Sequence, residues 1–320
     1  MLSYAPEYFH LPVRHFLGSL TRREGPEAKY SEPFVWRVLG SMNFRSNKRV
    51  RNSQRGERPA PWNRFAEFFP IPSEELSYLI GAYMGDGSIY RARGNAFLRL
   101  GAKDKEFVEL FAINTDKLLY RRPSVRRTSR GLYETRVASK SLCNYLERGL
   151  QRLSPFIEAY PSSFIRGLAD SDGSALVTTT RMRGKPWFFV QVVVATTPDL
   201  RLLTFVKNIL WKHFGLFATI VFKGRPRTRV WNGLLFRSKK RVFDLRISRF
   251  DHVKRFSTEI GFALRRKQRK LECATKIRTQ HGSGALAVKE WLSGWRLGPT
   301  EWMPRVSKTN VLSLSRLRGP

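Results

Sequence analysis

The chain is short of the residues that build metal clusters and covalent staples. Of 320 residues, two are cysteine (Cys143 and Cys273) and five are histidine, and no Cys-x-x-Cys occurs. That excludes a disulfide framework and leaves no ligand set for structural zinc. His10 and His15 lie in an irregular basic stretch without metal-site spacing. Such cysteine usage fits a reducing, intracellular and cytoplasmic setting. Long apolar runs are also missing. None reaches the roughly 18 residues that span a bilayer, and none has the form of a signal peptide. Acidic residues are scarce: 25 Asp and Glu stand against 59 Lys and Arg, a formal net charge of +34. The excess runs through the whole chain. It calls for a polyanion as partner, nucleic acid first and an anionic membrane surface second.

What is present is enough to fold. Hydrophobic residues make up 42% and aromatics 13%, which argues against disorder for most of the chain and allows one large core or two smaller ones. Residues 1–71 mix aromatics with arginines and lack sustained periodicity. They form a basic extension, read as an arm that touches phosphates in preference to a solvated tail. Pro70-Ile71-Pro72 closes it. Ser73, followed by Glu74 and Glu75, then marks a helix start, and the helix is predicted to run to Asp86.

The stretch Leu79-Ile80-Gly81-Ala82-Tyr83-Met84-Gly85-Asp86-Gly87-Ser88 has a partner in Ile165-Arg166-Gly167-Leu168-Ala169-Asp170-Ser171-Asp172-Gly173-Ser174. Small residues four apart (Gly81 and Gly85; Gly167 and Ser171) leave a flat stripe on each helix, so the two can pack backbone to backbone. The closing glycines are expected to act as left-handed caps. Asp86 and Asp172 fall at the negative end of a helix dipole, where a carboxylate is locally unfavourable. Two acids in related places point to a bound divalent cation.

After each copy the pattern runs hairpin, helix, hairpin, helix. In the first half the hairpins are Ile89–Leu100 and 121–140, and the helices Lys103–Leu119 and Ser141–Leu153. In the second, the hairpins are Ala175–Thr197 and 217–248, turning at Asn232-Gly233, and the helices Pro198–Phe214 and Phe250–Leu264. The offset is 172 − 86 = 86 residues, an internal duplication. The domains expected are therefore 1–71, 72–160, 161–271 and a C-terminal extension over 272–320, whose Trp291, Trp295 and Trp302 are placed to pack back on the core.

Over about residues 72–271 the chain resembles the single-chain LAGLIDADG homing endonucleases. The resemblance rests on the two motif copies, their order and the elements that flank them. It implies an α+β fold of two pseudo-symmetric αββαββα halves with a β-saddle over DNA. It further implies a monomer that cuts both strands across the minor groove to leave staggered ends. On the matching positions, Asp86 and Asp172 become the metal-binding catalytic acids, with Gly85 and Ser171 beside them at the metal. Lys103 and Lys267 become basic residues near the cleaved phosphates. Mg²⁺ is the implied ion, with Mn²⁺ expected to substitute and Ca²⁺ to bind without cleavage. The motif acid one turn earlier is Met84 in one copy and Asp170 in the other, so Asp170 is not assigned to the metal. Ala102 stands where relatives often carry Gln.

Two-stranded ribbons have the width to enter a major groove and read base edges. Alternation on them nominates Arg91, Arg93, Arg126, Thr128, Arg136, Thr178, Thr180, Arg181, Gln191, Arg227, Arg229, Arg237 and Lys239 as DNA contacts. The uncharged members specify bases, and the arginines divide between guanines and phosphates. Two other readings keep the scaffold. One is a maturase acting on its own intron RNA; the other is a DNA-binding protein that does not cleave. Both motif acids are present, which favours the nuclease. Arginine-rich usage points to a GC-rich or thermophilic host; an archaeal or other prokaryotic host is the expectation, with an organelle as the alternative.

Overall fold

The computed structural model describes residues 68–224, 228–231, 234–237, 241–298 and 302–305. The basic arm expected before residue 68 lies outside these residues. The hydroxyl of Ser73 accepts the amide of Leu76 at 3.2 Å and starts α1 (Glu74–Gly85), with Glu74 and Glu75 in its first turn. Both features satisfy the orphan amides and the dipole of a helix N-terminus. Then follow β1 (Gly87–Ala92), β2 (Asn95–Ala102), α2 (Lys105–Leu119), β3 (Val125–Arg127), β4 (Tyr133–Ala138), α3 (Lys140–Leu146) and α4 (Leu150–Ala159).

The second half repeats the order. It runs α5 (Pro161–Asp172), β5 (Ser174–Met182), β6 (Lys185–Thr197), α6 (Leu200–Phe214), β7 (Thr219–Gly224), β8 (Thr228–Trp231), β9 (Leu234–Arg237), β10 (Val242–Ile247) and α7 (Phe250–Glu259). The sheets have the same topology, β1-β2-β4-β3 and β5-β6-β10-β7. The fold is thus α+β, with two related four-stranded antiparallel sheets.

Matching local chemistry produces the matching sheets. Arg93-Gly94 (φ 50° and 77°) and Arg183-Gly184 (φ 51° and 79°) join Ala92 to Asn95 and Met182 to Lys185. Positive φ at both central residues gives the two-residue turn whose twist suits the flanking strands. Asp104 and Asp199 then cap α2 and α6, each carboxylate accepting amides of the first helical turn. Side chains alternate across each sheet. Ala96, Leu98, Leu100 and Val137 are buried on one face of the first sheet, and Ala175, Val177, Phe188, Val190 and Val192 on the corresponding face of the second. The opposite face of each sheet is open.

Several boundaries differ from the sequence reading. The helix expected over Ser141–Leu153 is two helices, because Gly149 takes φ 82° between them. The helix expected to reach Leu264 stops at Glu259, where Gly261 turns the chain at φ 65°. The ribbon expected over 217–248 is β7 and β10 with a separate hairpin, β8 and β9, between them. The glycines after the motif helices are not left-handed: Gly173 has φ −86°, and Gly87 is absent from the positive-φ residues. Their role is close approach. A β-carbon on Gly87 would lie 2.5 Å from the α-carbon of Tyr83, and one on Gly173 2.7 Å from the carbonyl oxygen of Val193.

The chain continues into α8 (Arg265–His281), which runs straight through the boundary expected at 271, and α9 (Ala285–Gly294). Short strands β11 (Trp295–Leu297) and β12 (Trp302–Pro304) close this part. Trp291 stacks on Trp295 with centroids 4.7 Å apart and packs against Phe188 of β6, while the Trp302 indole donates to the carbonyl of Val177 at 2.8 Å. The three tryptophans form the wall behind the long β5–β6 hairpin.

Candidate active site and nucleic-acid interface

The site grows from the seam between α1 and α5. A β-carbon on Gly81 would overlap the carbonyl of Phe164 and lie 2.8 Å from the amide nitrogen of Leu168; one on Gly167 would lie 3.1 Å from the amide nitrogen of Ala82. Gly85 instead faces the Ser171 side chain, its β-carbon position being 2.5 Å from that of Ser171. Backbone therefore meets backbone at Gly81 and Gly167, and only the small Ser171 side chain stands between the helices at Gly85. Leu168 and Ala169 are fully buried around this contact, with Tyr83 and Met84 packed at its edge.

Such a seam brings the two helix ends together, and with them two carboxylates. Asp86 is the C-cap of α1, its amide donating to the carbonyl of Ala82 at 3.1 Å. Asp172 is the last residue of α5, and one carboxylate oxygen lies 3.3 Å from the β-carbon position of Gly85. Burial, reinforced by the Asp86 charge, pushes the Asp172 carboxyl up to about 6. A carboxyl raised by burial and by a second acid beside it, at converging helix ends, marks a site for positive charge. Among the described residues no group of three or more His, Cys, Asp or Glu could hold a metal. Carboxylates are hard oxygen donors, and a pair of them suits a divalent cation that completes its shell with water.

Lys267, in the first turn of α8, is 9% exposed and points at the end of α5. Its ammonium donates to the carbonyls of Asp170 at 2.6 Å, Gly173 at 2.7 Å and Ala169 at 3.0 Å, with Ser171 at 3.4 Å. Its protons are thus committed to the backbone at the end of α5, where Ala169 also takes the amide of Gly173 at 2.9 Å. Burial lowers it to about 8, and it stays protonated at neutral pH. Lys267 supports the acids from beneath, which differs from the phosphate contact expected of it. Lys103 is exposed between β2 and the cap of α2. Asp170 is committed to other partners. It accepts the Tyr78 hydroxyl at 3.0 Å and the amides of Ala263 and Leu264 at 3.1 and 3.3 Å, a buried knot between α1, α5 and the start of α8.

Sheet register sorts the expected contacts. On the open face of the first sheet stand Tyr90, Phe97, Arg99, Arg136 and, on β3, Arg126; Tyr90 and Phe97 stack at 4.9 Å. On that of the second stand Thr178, Thr180 and Gln191, beside Trp187, Phe189, Lys223 and Arg246. Arg91 is a correction. It shares a face with Ile89 and the buried Ala96 and is held by Asn144 and Glu147 at the end of α3. Arg181 likewise has the parity of buried Val177, at the end of β5. Arg93 is in the turn, and the Thr128 hydroxyl is used within its own turn, donating to Leu132 at 3.1 Å. Arg227 and Lys239 lie outside the described residues, as do the side chains of Arg229 and Arg237. Counting parity back from Ala96, Leu98 and Leu100 would have recovered Arg99 and Phe97.

Residues 159–261 match the model of the LAGLIDADG-like domain. An uncharacterized protein of Methanocaldococcus jannaschii is 28% identical over 228 residues, covering 69% of this chain and 79% of its own length. The homing endonuclease I-ApeI of Aeropyrum pernix is 27% identical over 213 residues, covering 61% of this chain and 85% of its own. Among solved structures, I-DmoI in complex with DNA and Mn is 21% identical at a TM-score of 0.41, covering 60% of this chain and 98% of that one. The match to the LAGLIDADG-like domain thus covers the second half of the fold, and α1 places a second copy of the motif against that half at the same seam.

Proposed function

We propose that the protein is a site-specific, divalent-metal-dependent double-strand DNA endonuclease that acts as a monomer. The observation that carries the reading is the juxtaposition of Asp86 and Asp172 at the seam between two sheets with basic open faces. A phosphodiester in water resists hydrolysis because charge must build on an already anionic phosphate. Mg²⁺ held by the two carboxylates would, when bound, offset that charge and polarise an attacking water. The protein's own part is positioning. The α1–α5 seam fixes the acids, Lys267 holds the end of α5, and Arg99, Arg126, Arg136, Lys223 and Arg246 neutralise the DNA backbone on either side. Thr178, Thr180 and Gln191 offer uncharged hydrogen-bonding groups for base edges. One acid in each half gives each strand its own carboxylate.

The test is cleavage of a plasmid library carrying ribosomal-RNA-gene and intron-insertion sequences, with Mg²⁺ and with EDTA. Discrete linear products that require the metal support the endonuclease and identify its target. Tight binding to intron RNA, with no DNA cut under any metal, would replace this reading with the maturase.

A further inference from the structure

Each sheet has one buried carboxylate on its open face, at the same topological place. Glu134 on β4 is 4% exposed and lies between β2 and β3, from which Arg99 and Arg126 close on it at 2.5 and 2.9 Å. Asp244 on β10 is 1% exposed and lies between β6 and β7. It accepts the Thr196 hydroxyl at 2.7 Å, the Lys223 ammonium at 3.2 Å and the Arg246 guanidinium at 2.7 Å. The strands align as Tyr133-Glu134-Thr135-Arg136-Val137 with Phe243-Asp244-Leu245-Arg246-Ile247. Burial works to raise both carboxyls, but the cations outweigh it and hold them below the ordinary range.

An acid in the middle of a DNA-facing surface repels phosphate, so in a chain this poor in acids the arrangement needs a reason. Neither carboxylate can reach DNA itself, since their side chains are only 6% and 2% exposed, whereas those of Arg99 and Arg126 are 49% and 56% exposed. A guanidinium has five N–H donors in a rigid fork. One edge on a buried carboxylate leaves the rest fixed in direction, and the rotamer entropy is lost on folding instead of on binding.

We infer that Glu134 and Asp244 are positioning residues, each holding the cations of its own sheet in a set arrangement against duplex DNA and so governing one half of the target. The inference rests on the open faces binding DNA. The acceptors are oxygens and nitrogens of guanine edges or phosphate oxygens, which share the chemistry that a fixed cation recognises.

The experiment selects bound duplexes from a randomised pool in Ca²⁺, using the full chain as wild type, Glu134→Gln, Asp244→Asn and, as a control acid on α2, Glu109→Gln. The expected result is binding about tenfold weaker for the two buried-acid variants although each is more positive than wild type. Base preference should be lost in one half of the selected motif for Glu134→Gln and in the other half for Asp244→Asn. Uniform weakening with an unchanged motif also supports positioning and assigns the cations to phosphates. Equal or tighter binding with an unchanged motif, as simple charge removal demands, overturns the inference.

A variant that also removes both first-sheet arginines (Arg99→Ala, Arg126→Ala, Glu134→Gln) leaves no lone buried charge. It should reproduce the Glu134→Gln motif, and retention of the wild-type motif would overturn the inference even if Glu134→Gln folds poorly. Failure of the wild type to enrich any duplex would instead remove the DNA-binding reading itself.

Discussion

Lys267 holds Gly173 through an ammonium-to-carbonyl hydrogen bond of 2.7 Å, one residue beyond Asp172. The same ammonium reaches Asp170 and Ala169, so one side chain closes the end of the helix that presents an acid. Lys267→Met would take this donor from the carbonyls of Asp170 and Gly173, while Ala169 keeps the amide of Gly173 at 2.9 Å. The expected loss is about 3 kcal/mol, read as a lower urea midpoint at unchanged slope. An unchanged midpoint would show that water replaces the ammonium at no cost.

The α1–α5 seam has no room for a side chain at Gly81, where even a β-carbon would meet the backbone of Phe164 and Leu168. Backbone atoms cannot rotate away as a side chain can. Gly81→Ala is expected to cost about 3 kcal/mol, and Gly81→Leu to unfold the protein or part its halves. Equal melting temperatures for wild type and Gly81→Ala would contradict the packing.

Asp170 gives a pH signature. Burial raises its carboxyl to about 6 from an ordinary 3.8, so the folded state binds its proton more tightly than the unfolded chain does. The protonated group favours folding at low pH, and that advantage fades as pH rises from about 4 to about 6. Asp170→Asn keeps an acceptor for the amides of Ala263 and Leu264 and cannot titrate. Its stability relative to wild type should therefore rise across this window, by about 3 kcal/mol at the upper limit. Parallel melting curves from pH 4 to 6 would assign the knot no titrating role.

Binding to DNA should weaken steeply with salt, because the formal net charge of +34 and the basic sheet faces imply many displaced counterions. A loss of roughly a thousandfold between about 50 and about 200 mM salt is expected in filter binding or anisotropy. A flat profile would remove the open faces from the interface.

Much of this was legible in the chain because it depends on local rules. Ser73 with two following glutamates announces α1, and glycines four apart announce the seam. The duplicated order of elements carries the two-sheet topology. What escaped depends on parity and distance. Arg91 and Arg99 are equally basic and lie on the same hairpin, and only the pairing register turns one to the helices and the other to the open face. Lys267 lies 97 residues from Asp170, whose carbonyl it holds, and nothing local signals that bond. Glu134 and Asp244 look like ordinary surface acids until both neighbouring strands are in place.

The most direct measurement compares wild type, Asp86→Asn and Asp172→Asn on the selected target, with Mg²⁺ for cleavage and Ca²⁺ for binding. Both variants should lose double-strand cleavage while binding DNA within a few-fold of wild type. In EDTA at neutral pH, Asp172→Asn should also melt above wild type, because it removes a charge opposed by burial and by Asp86. Undiminished double-strand cleavage by either variant would contradict a shared two-carboxylate site at the ends of α1 and α5.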